Sequence, residues 1–297
     1  MQKIALSANL QVSPIAYGLW RSTDDPDQSN KHLQQKIEAC LEQGITTFDQ
    51  ADIYGGYSAE TLLGNTFKKA PQLRDQMEII TKCNIVAPTG IHSDKRVKHY
   101  NSSPAYINAA VERSLREMAI DRIDLLLLHR PDPLMDAEQT GAALDTLVAS
   151  GKVKTIGVSN FRPRDIELLQ ARTTNPLVTN QIEISLGHNC AFSNGDLAYM
   201  QQQRITPMAW SPLSGGQLLE NPQSPLTKKL QQIADCHNVS ASAIAIAWLL
   251  AHPTNIIPIM GSNNIQRIKQ FAQALQVQLD RQTWFELLEA ANGKAVA

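Results

Sequence analysis

Four polar side chains stand at or just beyond the ends of apolar runs in this sequence. Asp49 ends ITTFD (45–49), Tyr54 follows five residues later in FDQADIYGG, Lys82 ends MEIITK (77–82), and His129 ends IDLLLLH (123–129). Brought together, a carboxylate, a phenol, an ammonium and an imidazole make a proton-transfer set. An ammonium beside a phenol stabilises the phenolate and lowers a pKa that is ~10 in water, and a carboxylate paired with the ammonium keeps it charged and fixed. The tyrosine then becomes a usable acid near neutrality, while the imidazole hydrogen-bonds a substrate carbonyl oxygen and orients it. Such a set suits carbonyl reduction; it supplies the proton and lacks the hydride, so a nicotinamide has to come from elsewhere. Singly, each residue has an ordinary explanation: a terminal Asp caps a helix, a Lys leaving a strand reaches solvent, a Tyr packs, and a His after four leucines is satisfied in the core. Convergence is what makes the chemistry.

The elements that must position them are short β-rich runs alternating with segments of helical period. Strand-like runs fall at 15–18, 45–49, 77–82, 123–129, 153–159, 177–183, 205–210 and 255–261. Helical candidates lie near 29–43, 58–69, 103–118, 136–150, 163–172, 194–203, 226–251 and 264–275, with an extra one near 281–291. In 103–118 the apolar positions Ile107, Val111, Leu115 and Met118 share one face, Ser103 serves as cap, and Pro104 suits the first helical position. Runs rich in Ile, Val and Leu on both faces imply strands buried on both sides, as in a parallel sheet covered by helices. Eight strand-then-helix units close into a (β/α)₈ TIM barrel, an α/β fold. A doubly wound open sheet competes, but no GxGxxG follows the first strand and no linker divides the chain. Residues 1–297 therefore read as one barrel domain. KIALSANLQVS, with Ala8-Asn9 at its turn, reads as an N-terminal β-hairpin covering the lower mouth. In such barrels chemistry sits at the C-terminal ends of the strands, so Asp49, Tyr54, Lys82 and His129 converge on one rim.

Composition excludes several classes. The 297 residues are 43% hydrophobic and 19% charged, enough for a large core and too little charged for a disordered chain. Lys plus Arg number 27 against 28 Asp plus Glu, so no bulk positive field exists to hold nucleic acid or an anionic bilayer. Cys40, Cys83, Cys190 and Cys236 form no CxxC pair and read as reduced cytosolic thiols. The N-terminus lacks an export signal, and the longest apolar stretch, AIAIAWLLA (243–251), is about half a membrane span. A cytoplasmic protein, monomeric or weakly homo-oligomeric, is expected.

In these stretches the sequence resembles the aldo-keto reductase family across nearly the whole chain. The matching segments are ITTFDQADIYGG followed by ETLLG, IITKC, DLLLLHRP, GKVKTIGVSNF, NQIEIS, AWSPLSGG and IPIMGSNNIQRI, in the family's order and at family-like separations. The resemblance implies a (β/α)₈ barrel that binds NADP(H) in an extended pose without a Rossmann domain. It carries the family's tetrad onto Asp49, Tyr54, Lys82 and His129, with Tyr54 as proton donor.

The resemblance also implies cofactor roles. Ser159 and Asn160 in GVSNF, with Gln181 of NQIE, match the residues that hydrogen-bond the nicotinamide carboxamide, and Trp210 matches the aromatic that stacks on the ring. Ser211, Leu213 and Gly215 in SPLSGG approach the pyrophosphate through backbone amides. GSNNIQRI opens a helix whose N-terminal amides near Gly261 and Ser262 form an anion site, and Arg267 pairs with an adenosine 2′-phosphate, which favours NADPH over NADH. Ile259 and Phe271 stand where the family often has a basic residue and an asparagine.

Trp20 in GLWRS resembles an aromatic lining the family's substrate mouth, and the segment 84–102 is too long for a plain connection and overhangs the pocket. His92, His99, His188 and Cys190 lack metal-ligand spacing, so no metal is expected. Little chain follows the last helix, so the mouth is expected to be open to bulky or varied carbonyls. Two other readings share the barrel. One is a nucleotide-binding, redox-sensing subunit with little turnover, which needs a large exposed apolar patch. The other is a metal-assisted hydrolase using Asp49 and His129, which lacks further ligands at other strand ends.

Overall fold

The computed structural model describes residues 1–297. Two short strands, β1 (Ile4–Ser7) and β2 (Leu10–Val12), pair antiparallel. Their turn falls at Ala8-Asn9, where Ser7 Oγ accepts from the amides of Asn9 and Leu10 at 3.3 and 3.1 Å. Eight further strands then close a parallel barrel: β3 (Ala16–Gly18), β4 (Thr47–Asp49), β5 (Glu78–Cys83), β8 (Ile123–Leu128), β9 (Val153–Ser159), β10 (Leu177–Glu183), β11 (Thr206–Trp210) and β12 (Ile257–Met260). Between β5 and β8 the short strands β6 (Ile85–Val86) and β7 (His99–Tyr100) form a separate antiparallel pair. The helices are α1 (Asn30–Leu41), α2 (Ala59–Lys69), α3 (Pro104–Met118), α4 (Ala137–Ala149), α5 (Pro163–Gln170), α6 (Asp196–Gln203), α7 (Pro225–His237), α8 (Ala241–Leu250), α9 (Ile265–Ile268) and α10 (Arg281–Asn292). The (β/α)₈ barrel and its hairpin are those expected.

Two cores follow from the two faces of the strands. Inside the barrel, Ile80, Leu125, Leu127, Val178, Met208, Ile257 and Ile259 fill the lower layers, and Leu6, Leu10 and Val12 of the hairpin pack onto them from below. A larger core lies between strands and helices, where α3 buries Ile107, Val111, Leu115 and Met118 as its periodicity requires. Its start is fixed by Ser103, whose side chain accepts from the Tyr106 amide, with Pro104 following.

Two expected helices are each broken. The span 226–251 is α7 and α8, bent by 92°. Asn238 takes a left-handed φ of 54° and Ser240 caps the new helix by accepting from the Ala243 amide, so local capping chemistry overrides the continuous apolar pattern. α8 is apolar all round and buried; its Trp248 stacks on Trp284 of α10 at 4.7 Å, and each indole N–H donates to the other residue's carbonyl. The span 264–275 is the single turn α9 followed by a 3₁₀ stretch, Phe271–Gln276, in which Phe271 is buried against Tyr17. No single helix is long and apolar enough to cross a membrane.

Candidate active site

At the C-terminal rim, β4, β5 and β8 lie side by side, with Asp49 in register with Ile80 and Lys82 with Leu127. Lys82 is fully buried, and its ammonium meets three acceptors: Asp49 Oδ2 at 2.8 Å, the Gln50 carbonyl at 2.9 Å and the Tyr54 hydroxyl oxygen at 3.0 Å. Three donors facing three acceptors is the condition under which a buried ion can be sustained. Asp49 in turn accepts from Gln181 Nε2 across the barrel at 2.7 Å. Tyr54 opens a tight turn, Tyr54–Gly56, that folds it back over the lysine. Gly55 there has φ 59°, and a Cβ on it would meet Thr23 Cγ2 at 2.5 Å, so only glycine fits. The ring of His129 lies edge-on to that of Tyr54, centroids 6.0 Å apart. The four residues expected to converge do converge.

Their proton affinities follow from burial and neighbours. Burial pushes the Tyr54 phenol up, Lys82 pulls it down and Asp49 pushes it up again; the net direction is upward. This corrects the expectation that Lys82 makes Tyr54 a stronger acid than free tyrosine: in this site desolvation outweighs the ammonium. Burial disfavours the Lys82 ammonium, but Asp49 and Tyr54 more than compensate, and its pKa is raised. His129 is pushed well below its ordinary value by burial and by the charges of Lys82, Arg130 and Lys98, so it is neutral at neutral pH. Its Nδ1 is buried without a hydrogen-bond partner.

Beside this group, the ends of β9, β10 and β11 present a cluster of linked side-chain hydroxyl, amide and indole groups. Ser159 Oγ donates to the Gln181 carbonyl at 2.8 Å and accepts from Asn160 Nδ2 at 2.9 Å. Asn160, in a left-handed conformation (φ 61°), also donates to the His129 carbonyl at 3.1 Å and accepts from Trp210 Nε1 at 3.0 Å. Gln181 commits its Nε2 to Asp49, which leaves its Oε1 as an acceptor for an external N–H. These groups fit a carboxamide lying against the half-buried Trp210 indole.

The loop after β11 turns sharply, with positive φ at Ser211 (49°), Ser214 (52°), Gly215 (69°) and Gly216 (107°). Leu213 packs partly into the core, and Gly215 O accepts from Arg21 Nη2 at 3.1 Å. Asn263 Nδ2 donates to the Arg21 carbonyl at 2.8 Å, so the loops following β3, β11 and β12 are tied together. Gly261 is exposed and Ser262 half-buried, its carbonyl held by the Tyr17 hydroxyl at 2.9 Å. The expected helix N-terminus needs correction. The amides of Gln266 and Arg267 are taken by the Asn264 side chain at 2.9 and 3.2 Å, because Asn264 caps its own short helix. What remains there for an anion is the Gly261–Asn263 turn and the exposed side chain of Arg267.

Trp20 is 56% exposed, with the Arg21 guanidinium 5.5 Å above its ring. The 84–102 segment sits on the Tyr54 turn: a Cβ on Gly90 would meet Gly56 O at 2.2 Å, and the Tyr57 hydroxyl joins the two by accepting from the Ala87 amide at 2.9 Å and donating to the Ile85 carbonyl at 3.2 Å. His92 packs against Tyr57 and Tyr106, His99 bonds the Val97 carbonyl, and His188 faces Cys190 and Glu183, in separate places. Sequence reasoning missed Arg130, half-buried beside His129 with its guanidinium 6.0 Å from the centre of the Trp210 ring. Its signal was a cation directly after the strand-ending histidine. It also missed Asn84, which no local pattern marks.

A closed barrel whose rim holds a buried lysine linking carboxylate and phenol is the fold and site of an aldo-keto reductase. The chain belongs to the aldo/keto reductase family, whose model matches residues 14–292. It is 60% identical to a 6-dehydroglucose reductase of Agrobacterium fabrum over 297 residues, covering 100% of each chain. Among solved structures, the thermostable aldo-keto reductase Tm1743 in complex with epalrestat superposes with a TM-score of 0.82 at 25% identity, covering 98% of this chain and 100% of that one. An aldo-keto reductase from Klebsiella pneumoniae in complex with NADPH matches with a TM-score of 0.76 at 25% identity, covering 95% and 91%.

Proposed function

We propose that this barrel is an NADPH-dependent reductase that converts an aldehyde to an alcohol, with Tyr54 as the proton donor and an oxidised hexose as substrate. The observation that carries the reading is the buried Lys82 ammonium, 2.8 Å from Asp49 and 3.0 Å from the Tyr54 oxygen. Bound NADPH supplies the hydride. Gln181, Ser159 and Asn160 would hold its carboxamide, Trp210 its nicotinamide ring, the Ser211–Gly215 loop with Leu213 its pyrophosphate, and Gly261, Ser262 and Arg267 its 2′-phosphate end. His129, neutral, donates a hydrogen bond to the carbonyl oxygen and orients it. As negative charge grows on that oxygen, Tyr54 gives it a proton, and Lys82 steadies the phenolate left behind. Asp49 keeps the ammonium charged and fixed throughout.

The mouth and the 60% identity to a 6-dehydroglucose reductase both support a sugar aldehyde. Trp20 offers a flat apolar face suited to a sugar ring, and Arg130, which makes no ion pair within the chain, offers donors for hydroxyl oxygens. The test is NADPH oxidation with 6-dehydroglucose and simple aldehydes. Tyr54→Phe lowers the rate by the ~10²–10⁴ expected for losing a general acid, with NADPH binding by fluorescence unchanged. Undiminished turnover by Tyr54→Phe refutes the mechanism; turnover with simple aldehydes and none with the sugar refutes the substrate.

A further inference from the structure

We propose that Asn84 is a positioning residue whose carboxamide fixes the main chain of His129 and Arg130, and so aims the imidazole at the carbonyl oxygen. The proposal rests on the reading of His129 as the donor to that oxygen. Asn84 is fully buried between β5 and β6 and holds a left-handed φ of 91°. Its Oδ1 accepts from both the His129 and the Arg130 amides at 3.1 Å. Its Nδ2 donates to the Arg130 carbonyl at 2.7 Å and to Ser102 Oγ at 3.1 Å, so all four contacts of one carboxamide are used. Its own carbonyl accepts from the Asn101 amide at 2.9 Å, which closes the base of the overhanging segment.

The reason this matters for turnover lies in His129. Histidines that work as donors usually have their second ring nitrogen held by a hydrogen bond, which sets ring orientation. Here no side chain or main-chain group of the protein bonds Nδ1, so what the chain itself supplies to aim the ring is packing and the hold on its main chain. That main chain is held from two sides. Its amide is shared between the Cys83 carbonyl at 2.9 Å and Asn84, and its carbonyl accepts from Asn160 at 3.1 Å. Removing the Asn84 carboxamide leaves the His129 amide to the Cys83 carbonyl alone and frees the Arg130 amide and carbonyl, while the carboxamide-binding rim stays intact. A misplacement of about 1 Å in such a group costs on the order of 10²-fold in rate.

Asn84→Gly keeps the left-handed backbone accessible and deletes the carboxamide. The expected result is a kcat lower by about 10- to 100-fold, with the Kd for NADPH unchanged by fluorescence titration. Asn84→Asp restores the acceptor for the two amides and loses the two donor contacts, so about a 3-fold loss is expected. On a His129→Ala background Asn84→Gly costs no further activity, because the residue it aims is gone. Wild-type kcat in Asn84→Gly, a parallel loss of NADPH binding, or full additivity with His129→Ala each overturns the proposal. Should the glycine variant not fold, Asn84→Asp decides by the same split: an unchanged kcat or a weakened NADPH Kd overturns it. Full activity in His129→Ala refutes the histidine's role itself, whereas its collapse beside an active Asn84→Gly refutes only the assignment to Asn84.

Discussion

The chain buries two lysine–aspartate pairs near the same rim, and they do different things. Lys82 with Asp49 sits at the ends of β5 and β4; Lys36 of α1 pairs with Asp25, and each of these side chains is nearly or wholly excluded from water. Both pairs need further hydrogen bonds to offset desolvation. Around Lys36 these come from Asn263 Oδ1, at 3.0 Å, while His32 Nε2 meets Asp25 at 3.1 Å. The Lys36 pair therefore ends in a loop contact that steadies the turn after β12. Around Lys82 the last acceptor is a phenol at the mouth of the barrel, so the same charge pair ends on a titratable hydroxyl, the proton donor of the proposed reaction. The lesson is that a buried ion pair takes its role from its third partner.

Replacing each lysine by methionine breaks or sharpens that contrast. Lys82→Met lowers kcat by at least ~10²-fold, because Tyr54 loses the cation that steadies its phenolate. Lys36→Met takes the ammonium from the buried Asp25 carboxylate and leaves it only His32 and the Asp27 amide, which costs about 3 kcal/mol of stability by denaturant titration while kcat at 25 °C stays within about twofold of wild type. Equal losses of turnover in the two variants would erase the distinction. Asp25 adds a pH test. Burial raises its carboxyl, but the Lys36 hydrogen bond and its other partners prevail and hold it below its ordinary 3.8. Its contribution is present above pH 3.8 and fades as pH falls through the lower folded value, seen as a thermal midpoint that drops in acid and drops less in Asp25→Asn.

Glu60 shows what happens to a buried acid held by hydroxyls. It accepts from Thr81 Oγ1 at 2.6 Å and Ser114 Oγ at 2.9 Å, and burial pushes it from 4.5 up to about 7. Raised affinity for a proton in the folded state means that the contribution of Glu60 to stability is full below pH 4.5 and is lost as pH rises through about 7, by about 3 kcal/mol. Glu60→Gln flattens that slope in a plot of thermal midpoint against pH. The smallest effect belongs to exposed Arg267: Arg267→Gln raises the KM for NADPH by about 10-fold and leaves that for NADH unchanged, since only the former has a 2′-phosphate to lose.

The barrel was legible because each strand carries its own apolar run and each stretch between carries helical period. The tetrad was legible because strand ends are sequence positions, and adjacency of successive strands follows from the fold class. The two broken helices were not. Asn238 and Ser240 divide α7 from α8, and Asn264 caps a single turn, through local side-chain bonds that an apolar pattern averages away. Lys36 was equally opaque, since a lysine in an amphipathic helix is ordinarily solvated and only the docking of Asp25 and Asn263 buries it.

By itself the sequence determined the eight-unit barrel, the rim on which Asp49, Tyr54, Lys82 and His129 meet, and the order in which the strand ends follow one another around it. Tertiary structure decided how strongly each proton is held. The upward direction of Tyr54 and the neutrality of His129 depend on how much water the packed neighbours exclude. It also decided which distant groups complete each site, as with Asn84 on His129, Gln181 on Asp49 and Arg21 on Gly215. Periodicity and strand ends are properties of a local stretch of chain, whereas desolvation and long-range hydrogen bonds exist only once separated stretches are packed together.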